Sequence, residues 1–495
     1  MMKDDSRIQM TETHKTWISN SSIVGFSRVE LYMHLCLGSI VPLVAMLSSP
    51  LSSPMCSMLG RRRTMMSMTI PMCAGWLIIA FATDASMILV GRAMCSAVSA
   101  VSVPAAYSYV AEIASASSRG FLGSLLSVGW TFGLVLSYSL GSILDWSQLA
   151  LSACMVPIAQ FVVLSMSEDS PRWLVSRAHL PEAKKALAFF RGCSDSNMSK
   201  PVECELKDME HQLQKAGQAN LRARLKLMVA SAGVRKAVMI CLMAFVFTVA
   251  TGFTVVNYHA KMLLVQARVT DAMDPNLGTI LIGLCQMGGN LCSAFIVDKV
   301  GRKSLLYVSS TFLAIAQAGL GTYFYFELTS PDAVEVLASY RWVPLVLLLV
   351  FVVFLPVGWG SITYILVSEI VPTSIRTETA ILCSSWEQLL QFGVLNLHSA
   401  ICGNYGPQYL HWGFATTSAI GAFFVWMFVP ETSGKTLEEI EIFFTHLRRE
   451  AMDMIGDREA CREPKKQSFF ILEKVSKAKL SKEEESRQCQ GCRRH

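Results

Sequence analysis

The chain has 495 residues, of which 52% are hydrophobic and only 16% are charged, and its formal net charge is +6. Soluble domains carry about 25% charged residues, so this composition excludes an ordinary soluble protein. The basic residues lie mainly between Arg172 and Lys236 and after Pro430, mixed with acidic ones, which indicates the cytoplasmic segments of a membrane protein and not a nucleic-acid surface.

Eleven apolar stretches follow in chain order, each about long enough to cross a bilayer as a helix. We predict spans at 35–58, 64–83, 87–111, 120–143, 149–166, 237–258, 278–297, 304–326, 342–367, 378–401 and 408–429. This pattern predicts an all-α polytopic membrane protein. The basic segments 61–63, 167–236 and 299–303, Arg376 and the tail are then cytoplasmic, which places the N-terminus outside.

These spans divide the chain into five segments. They are a polar N-terminal segment (1–34), an N-terminal transmembrane bundle (35–166), a charged cytoplasmic loop (167–236), a C-terminal transmembrane bundle (237–429) and a cytoplasmic tail (430–495). Within the loop, Pro181 is expected in the first turn of a short helix, and 203–228 is expected to form another. The sequon at Asn20 lies on the predicted outer side and is a candidate glycosylation site.

Small residues are frequent inside the apolar stretches. Most of the 15 cysteines lie there, where cysteine acts as a small hydrophobic residue, so we expect no disulfide framework. Glycines in the span 120–143 are expected to allow close packing of that helix against a neighbour. They are Gly120, Gly123, Gly129 and Gly133.

A short charged motif occurs twice, each time between two apolar stretches. Glu112 is followed seven residues later by Arg119, and Glu369 is followed at the same spacing by Arg376. A Gly-Arg pair precedes each copy, at 60–61 and at 301–302. A charge set repeated at matching points of two hydrophobic halves is typical of a duplicated transporter.

Longer motifs relate the chain to a known family. They are Gly91-Arg92, Ser170-Pro171-Arg172-Trp173-Leu174, Asp298-Lys299-Val300-Gly301-Arg302 and Pro430-Glu431-Thr432-Ser433-Gly434-Lys435-Thr436-Leu437-Glu438. From about residue 9 to 445 the chain resembles the sugar porters of the major facilitator superfamily, and among them the insect facilitated trehalose transporter type. The resemblance implies two pseudo-symmetric helical bundles around a central site that is exposed alternately to the two sides of the membrane.

The resemblance also implies a cytoplasmic gate of charged residues at helix ends. Ion pairs there would form when the central site faces outward and break when it faces inward, because a network of individually weak pairs can bias a two-state equilibrium. The alternative is that these charges only anchor helix ends and set topology. The residues assigned to the gate are Arg92, Glu112, Arg119, Asp298, Arg302, Glu369, Arg376 and Glu431.

The chain departs from the family pattern near its start. The segment from Met10 to Thr13 resembles the one that follows the family's first helix, so the eleven spans correspond to helices two to twelve. We expect either an incomplete gene model, which we favour, or a transporter that lacks this helix. In addition, Ser57 replaces the acidic residue of the first Gly-Arg motif, which would make the gate lopsided.

The positions expected to bind sugar differ further from the family. Recognition of a sugar needs amide and hydroxyl groups in a dry cleft, yet the family's glutamine pair falls at Thr248 and Val249. The substrate-binding candidates are Gln286 and Trp386, which match the family, and Ser127, Thr254, Tyr364 and Glu387, which do not.

Glu387 lies well inside the span 378–401. A carboxylate within the membrane is energetically costly and indicates a functional site by default. It would pair with a cationic substrate or carry a proton. Alternatively, it faces a wetted cavity or lies close to the cytoplasmic end of its helix.

We predict a carrier of the plasma membrane that moves a sugar, trehalose or a hexose, by facilitated diffusion. Proton-coupled sugar porters use an acid on the first helix, which this chain does not show. The alternatives are a non-transporting sensor or interaction protein and a carrier of a different small solute. The sequence shows no nucleotide-binding loop, no nucleophile paired with a base and no metal-ligand cluster, so we expect no catalytic residue, cofactor, metal or nucleic-acid partner. The oligomeric state stays open.

Overall fold

The computed structural model describes residues 39–115, 119–192, 200–216, 228, 232–269, 273–329, 337–372 and 375–431. These residues form helices, turns and short connections without a strand. The N-terminal segment with Asn20, the C-terminal part of the loop helix expected at 203–228, and the tail from 432 onward lie outside the described residues. The prediction of an all-α membrane protein is confirmed for the part that is described.

The N-terminal half consists of five long helices followed by three short ones. The long helices are α1 (Ser39–Leu59), α2 (Arg61–Ala80), α3 (Ala85–Ile113), α4 (Arg119–Gly141) and α5 (Trp146–Ser165). The short helices of the cytoplasmic loop are α6 (Pro171–Ser176), α7 (Leu180–Arg191) and α8 (Lys200–Ala216). Pro181 lies in the first turn of α7, as predicted, where its missing N–H is tolerated.

The C-terminal half begins with two helices that meet at Gly252, a residue with φ +93°. They are α9 (Ala232–Ala250) and α10 (Phe253–Gln266). The remaining helices are α11 (Pro275–Val300), α12 (Arg302–Thr329), α13 (Val343–Ile370), α14 (Arg376–Asn404) and α15 (Pro407–Phe428). Helix α13 contains a π-helical turn at Pro356–Gly360.

Each predicted span coincides with a helix to within a few residues, except 237–258, which covers most of α9 and the first part of α10. Among the described residues, seven helices are long and apolar enough to cross a membrane: α1, α3, α5, α9 with α10, α11, α12 and α13. Helices α2, α14 and α15 carry more polar residues, and the apolar part of α4 that the structure describes, Leu125–Gly141, is shorter. In α14, Thr379, Glu387 and His398 are buried against other helices, so the lower hydropathy of α14 reflects polar contacts inside the protein and not exposure to water.

The short loop helices dock on the cytoplasmic end of α3. The Tyr109 hydroxyl of α3 donates to the Glu168 carbonyl oxygen at 2.6 Å, and Arg191 Nη1 donates to the Ile113 carbonyl oxygen at 2.9 Å. Arg191 Nη2 lies 2.6 Å from Glu205 Oε1, and the hydrogen bonds that Arg191 donates to this carboxylate raise the pKa of the Arg191 guanidinium. The loop helices are therefore held to the N-terminal half by buried rings and charged hydrogen bonds.

Close helix packing occurs at other glycines than those predicted. Among the described residues, no atom beyond the local helix lies within 4 Å of a Cβ built on Gly123, Gly129 or Gly133, so the prediction of close packing is wrong at these three glycines. At Gly120 it stays a prediction. Helices α2 and α3 instead meet at Gly75 and Gly91. A Cβ on Gly91 would lie 2.7 Å from the Gly75 carbonyl oxygen, so backbone approaches backbone there.

We expect the same substitution to change stability in opposite directions at two glycines. Gly91→Ala places its methyl group against Ile79 Cγ1 and the Gly75 carbonyl oxygen, and overpacking of this kind costs about 1–3 kcal/mol. Gly129→Ala meets no neighbour and gains about 1 kcal/mol of helix propensity. Melting temperatures of the detergent-solubilised variants should therefore fall for the first and hold or rise for the second. Equal shifts would contradict the packing at Gly91.

Candidate functional site

The two Gly-Arg motifs have the same local geometry. Gly60 and Gly301 have φ of +87° and +93°, which a side chain would strain, and each separates two long helices. Nη1 of the following arginine donates to a carbonyl oxygen of the preceding helix at 3.3 Å in both copies. The sequence repeat is therefore a repeat of structure.

Each of these arginines pairs with the glutamate of its own half. Arg61 Nη2 lies 2.9 Å from Glu112 Oε1, and Arg302 Nη2 lies 3.0 Å from Glu369 Oε1. All four side chains are mostly shielded from solvent, with exposed fractions of 11–23%. Burial at this level makes each pair stronger than an exposed surface pair.

The surroundings of the two copies differ. In the first, the Trp173 ring covers Gly60, and the Ser170 hydroxyl donates to Glu112 Oε2 at 2.5 Å. The Ser57 carbonyl oxygen accepts hydrogen bonds from Trp173 Nε1 at 3.1 Å and from Arg177 Nη2 at 2.7 Å. Ser57 therefore contributes its backbone at the position where the family has an acidic side chain.

In the second copy a carboxylate covers the glycine. Glu431 accepts hydrogen bonds from the backbone N–H groups of Arg302 at 3.0 Å and of Lys303 at 3.2 Å. These are the first N–H groups of α12, which have no partner within the helix, and the positive end of the helix dipole favours an anion there.

Of the gate candidates Arg376, Arg119 and Asp298, the structure describes only the side chain of Arg376. Arg376 Nη2 donates to the Val371 carbonyl oxygen at 3.4 Å, while Glu369 pairs with Arg302. The side chains of Arg119 and Asp298 lie outside what the structure describes.

Arg92 does not belong with the cytoplasmic residues. It lies on α3, a continuous helix, about 30 Å from Glu112 at 1.5 Å per residue, which is about the thickness of the hydrocarbon core. Assigning Arg92 to the cytoplasmic gate was therefore wrong. The Gly-Arg dipeptide suggested this assignment, but the length of α3 puts Arg92 at the opposite side of the membrane.

Three of the substrate-binding candidates are buried polar groups that lack a partner. Among the described residues, no hydrogen-bond partner is found for Gln286 Oε1 on α11, Thr254 Oγ1 on α10 or Trp386 Nε1 on α14. Gln286 is 2% exposed and Thr254 is 1% exposed. A buried polar atom without a partner is unfavourable by about 1–3 kcal/mol, so such atoms indicate positions where a ligand completes the hydrogen bonding.

The other three candidates lie around a second set of polar contacts. The Tyr364 hydroxyl donates to Glu387 Oε2, and Gln391 Nε2 donates to Glu387 Oε1 at 3.2 Å. In the N-terminal half, the Ser127 and Tyr107 hydroxyls lie 3.5 Å apart. The sequence alone does not identify Gln391 or Tyr107 as site residues, because a single polar residue in an apolar span does not indicate which residue it contacts.

The two halves contact each other near this region. Ser49 and Ser385, from α1 and α14, share a hydrogen bond at 2.6 Å. The Tyr138 hydroxyl of α4 donates to the Asn257 carbonyl oxygen of α10 at 3.0 Å. Val135 of α4 packs against Gly283 of α11. The site candidates of α10, α11 and α14 therefore adjoin the interface between the halves.

Most of the chain matches one known protein family. The family profile described as "Sugar (and other) transporter" matches residues 8–444. This chain belongs to that family. The facilitated trehalose transporter Tret1 of Bombyx mori is 32% identical over 411 residues, which cover 82% of this chain and 78% of the relative. Tret1 of Apis mellifera ligustica is 32% identical over 416 residues, 83% of this chain and 80% of the relative.

Solved transporter structures share the fold of this chain. The inward-open xylose transporter XylE from E. coli superimposes with a TM-score of 0.68 at 22% identity, over 86% of this chain and 92% of that chain. The proton:xylose symporter XylE bound to 6-bromo-6-deoxy-D-glucose gives a TM-score of 0.66 at 22% identity over the same shares. The chain has the major facilitator superfamily fold, so the predicted family and fold class are confirmed.

We expect charge reversal at one member of the Arg302–Glu369 pair to lower the stability of the protein, and exchange of the two residues to restore it. We expect Arg302→Glu and Glu369→Arg each to lower the melting temperature, because each places two like charges in a poorly solvated contact. The double variant should regain at least half of the loss, as measured by thermal unfolding of the purified protein.

The matched control is the exposed pair between Lys184 and Glu203, which are 2.8 Å apart on the loop helices. Exposed pairs contribute about 0–1 kcal/mol, so the same reversals there should change the melting temperature little. If the change in melting temperature of the double variant equals the sum of the changes of the two single variants, Arg302 and Glu369 do not interact.

Proposed function

We propose that this protein is a carrier of the plasma membrane that moves a sugar, trehalose or a hexose, by facilitated diffusion and alternating access. Membership of the sugar (and other) transporter family supports the carrier class. Similarity to proteins named as facilitated trehalose transporters supports a sugar as the solute. The partnerless polar groups of the C-terminal half are the observation that carries the proposal.

These groups suit the chemistry of a sugar ring. A sugar hydroxyl donates one hydrogen bond and accepts others, so it can satisfy an acceptor such as Gln286 Oε1 and a donor such as Trp386 Nε1. The Thr254 hydroxyl can do either. All three groups are neutral, and they lie on three different helices of one half. A neutral, polyhydroxylated solute would complete their hydrogen bonds without introducing a charge into the membrane.

The cytoplasmic charged residues would set the equilibrium between the outward-facing and inward-facing states of the carrier. The gate in this proposal consists of Glu112, Arg119, Asp298, Arg302, Glu369, Arg376 and Glu431. The Arg61–Glu112 and Arg302–Glu369 pairs lie within their own halves, so they hold the helix ends of each half together. Rearrangement of such contacts at the cytoplasmic ends biases the equilibrium between outward-facing and inward-facing states.

We expect Gln286→Leu to weaken sugar transport without unfolding the protein. Leucine has a similar volume but cannot form the hydrogen bond that the buried Gln286 Oε1 lacks. Loss of one hydrogen bond to the solute, about 1.4 kcal/mol, would raise the KM for labelled trehalose or glucose roughly tenfold in proteoliposome uptake.

The matched control is Gln160→Leu, the same chemical change on the half-buried outer face of α5. It should leave the KM unchanged at equal protein content. Saturable uptake by the wild-type protein would support a carrier, and its absence for both sugars would favour the sensor hypothesis. An unchanged KM in Gln286→Leu would remove Gln286 from the site.

A further inference from the structure

The carboxylate of Glu387 differs from other shielded carboxylates of this protein. Glu112, Asp169, Glu327 and Glu369 each have an arginine nitrogen within 4 Å, at 2.9, 3.3, 3.0 and 3.0 Å. Glu387 is 5% exposed, and no lysine, arginine or histidine among the described residues forms an ion pair with it. Its two oxygens accept hydrogen bonds from neutral groups only, the Tyr364 hydroxyl and the Gln391 amide.

The position of Glu387 excludes one alternative explanation, that of a carboxylate at the end of its helix. On α14 it lies about 17 Å from the first residue and about 26 Å from the last. It is therefore not at a helix end from which its side chain could reach the membrane surface. A negative charge at this depth without a cation is costly, so the site favours either a bound cation or a proton.

The hydrogen bonds of Glu387 favour a proton over a cationic solute. Both carboxylate oxygens already accept from neutral donors, so a proton can neutralise Glu387 while the Gln391 contact stays in place, whereas an organic cation would have to displace one of these donors. Tyr364 is 53% exposed, although its ring packs edge-on against the buried Phe245 with centroids 5.1 Å apart. Ser385, two residues before Glu387, meets Ser49 of the other half at 2.6 Å, so the contact between Tyr364 and Glu387 lies beside the interface between the halves. The exposed Tyr364 hydroxyl is therefore the route by which a proton can reach Glu387.

We propose that Glu387 is a proton-binding site used in the transport cycle, loaded through the Tyr364 hydroxyl. A proton from water in the space between the halves binds the phenol oxygen as the phenol proton passes to Glu387 Oε2. The tyrosine ends neutral, the carboxylate becomes a carboxylic acid, and release reverses these steps. This inference rests on the proposed carrier function and adds a proton to a cycle otherwise driven by the solute alone.

The other titratable groups around Glu387 do not replace it in this role. Cys383, one turn before Glu387 on the same helix, and Tyr364 are the titratable groups that interact electrostatically with Glu387, and both are neutral in their ordinary state near pH 7. His398 lies about 17 Å farther along α14, stacked on His259 with ring centroids 4.5 Å apart. The helices packed on α14 also carry Arg235, Lys236, Tyr258, Lys261, Glu369, Tyr409 and His411, and none of these forms a described hydrogen bond or ion pair with Glu387.

The first test compares the pH dependence of sugar uptake into proteoliposomes. For the wild-type protein we expect uptake to rise roughly threefold or more as the pH falls from about 8 to about 6, since one proton changes occupancy by at most tenfold per pH unit. Glu387→Gln, which is permanently neutral, should give a flat profile. Glu182→Gln, on the exposed loop helix α7, should keep the wild-type profile. A Glu387→Gln profile that matches the wild type would overturn the proposal.

A second measurement does not depend on transport. Infrared difference spectra of the wild-type protein in lipid, recorded during a pH titration, should show the C=O band of a protonated carboxylic acid. Tyr364→Phe should shift the frequency of this band, because the phenol hydrogen bond is lost, whereas Tyr409→Phe, at an exposed tyrosine of α15, should not. A titrating band that is insensitive to Tyr364→Phe would contradict the proposal. If the wild type takes up no sugar but shows the shifted band, the proposed solute is wrong and the proton site stands.

Discussion

The lack of water in the bilayer core is the constraint on which the rest of this structure depends. Every polar group there must find its partner within the protein. Hydroxyl groups meet this demand locally: Thr248 donates to the Ala244 carbonyl oxygen at 3.0 Å, and Ser310 donates to that of Leu306 at 2.7 Å. Because most groups are satisfied in this way, those that are not, such as Gln286 Oε1 and Trp386 Nε1, become informative.

The cytoplasmic ends show how duplication preserves a contact while its surroundings change. Arg61 and Arg302 keep the same carbonyl acceptor geometry and nearly the same distance to a glutamate. A tryptophan ring covers the first glycine, and the Glu431 carboxylate covers the second. The conserved element is the arginine–glutamate pair, since it neutralises charges that the helix ends bring close to the membrane, and the covering groups are free to diverge.

The centre of the C-terminal half combines two kinds of polar group. Neutral groups without partners suit a hydroxyl-rich solute. Glu387, by contrast, has partners for both oxygens but none that balances its charge. These features lie on helices that adjoin the interface with the N-terminal half, where Ser49 meets Ser385. A change in the distance between the halves would therefore alter the access of both solute and proton.

The sequence by itself determined the class of this protein. Eleven long apolar stretches, two copies of a charged motif and basic loops on one side require a helical membrane protein with two related halves, because hydropathy, repetition and charge are properties of the chain order. Sequence could also name Gln286, Trp386 and Glu387 as unusual polar residues in spans. The tertiary structure decided their partners. Arg92 shares a dipeptide with the cytoplasmic motifs but lies about 30 Å from Glu112, and Gly129 packs against nothing while Gly91 meets Gly75. Which side chain lacks a hydrogen bond, and which carboxylate lacks a cation, depends on helices far apart in sequence, so only the packed structure could decide it.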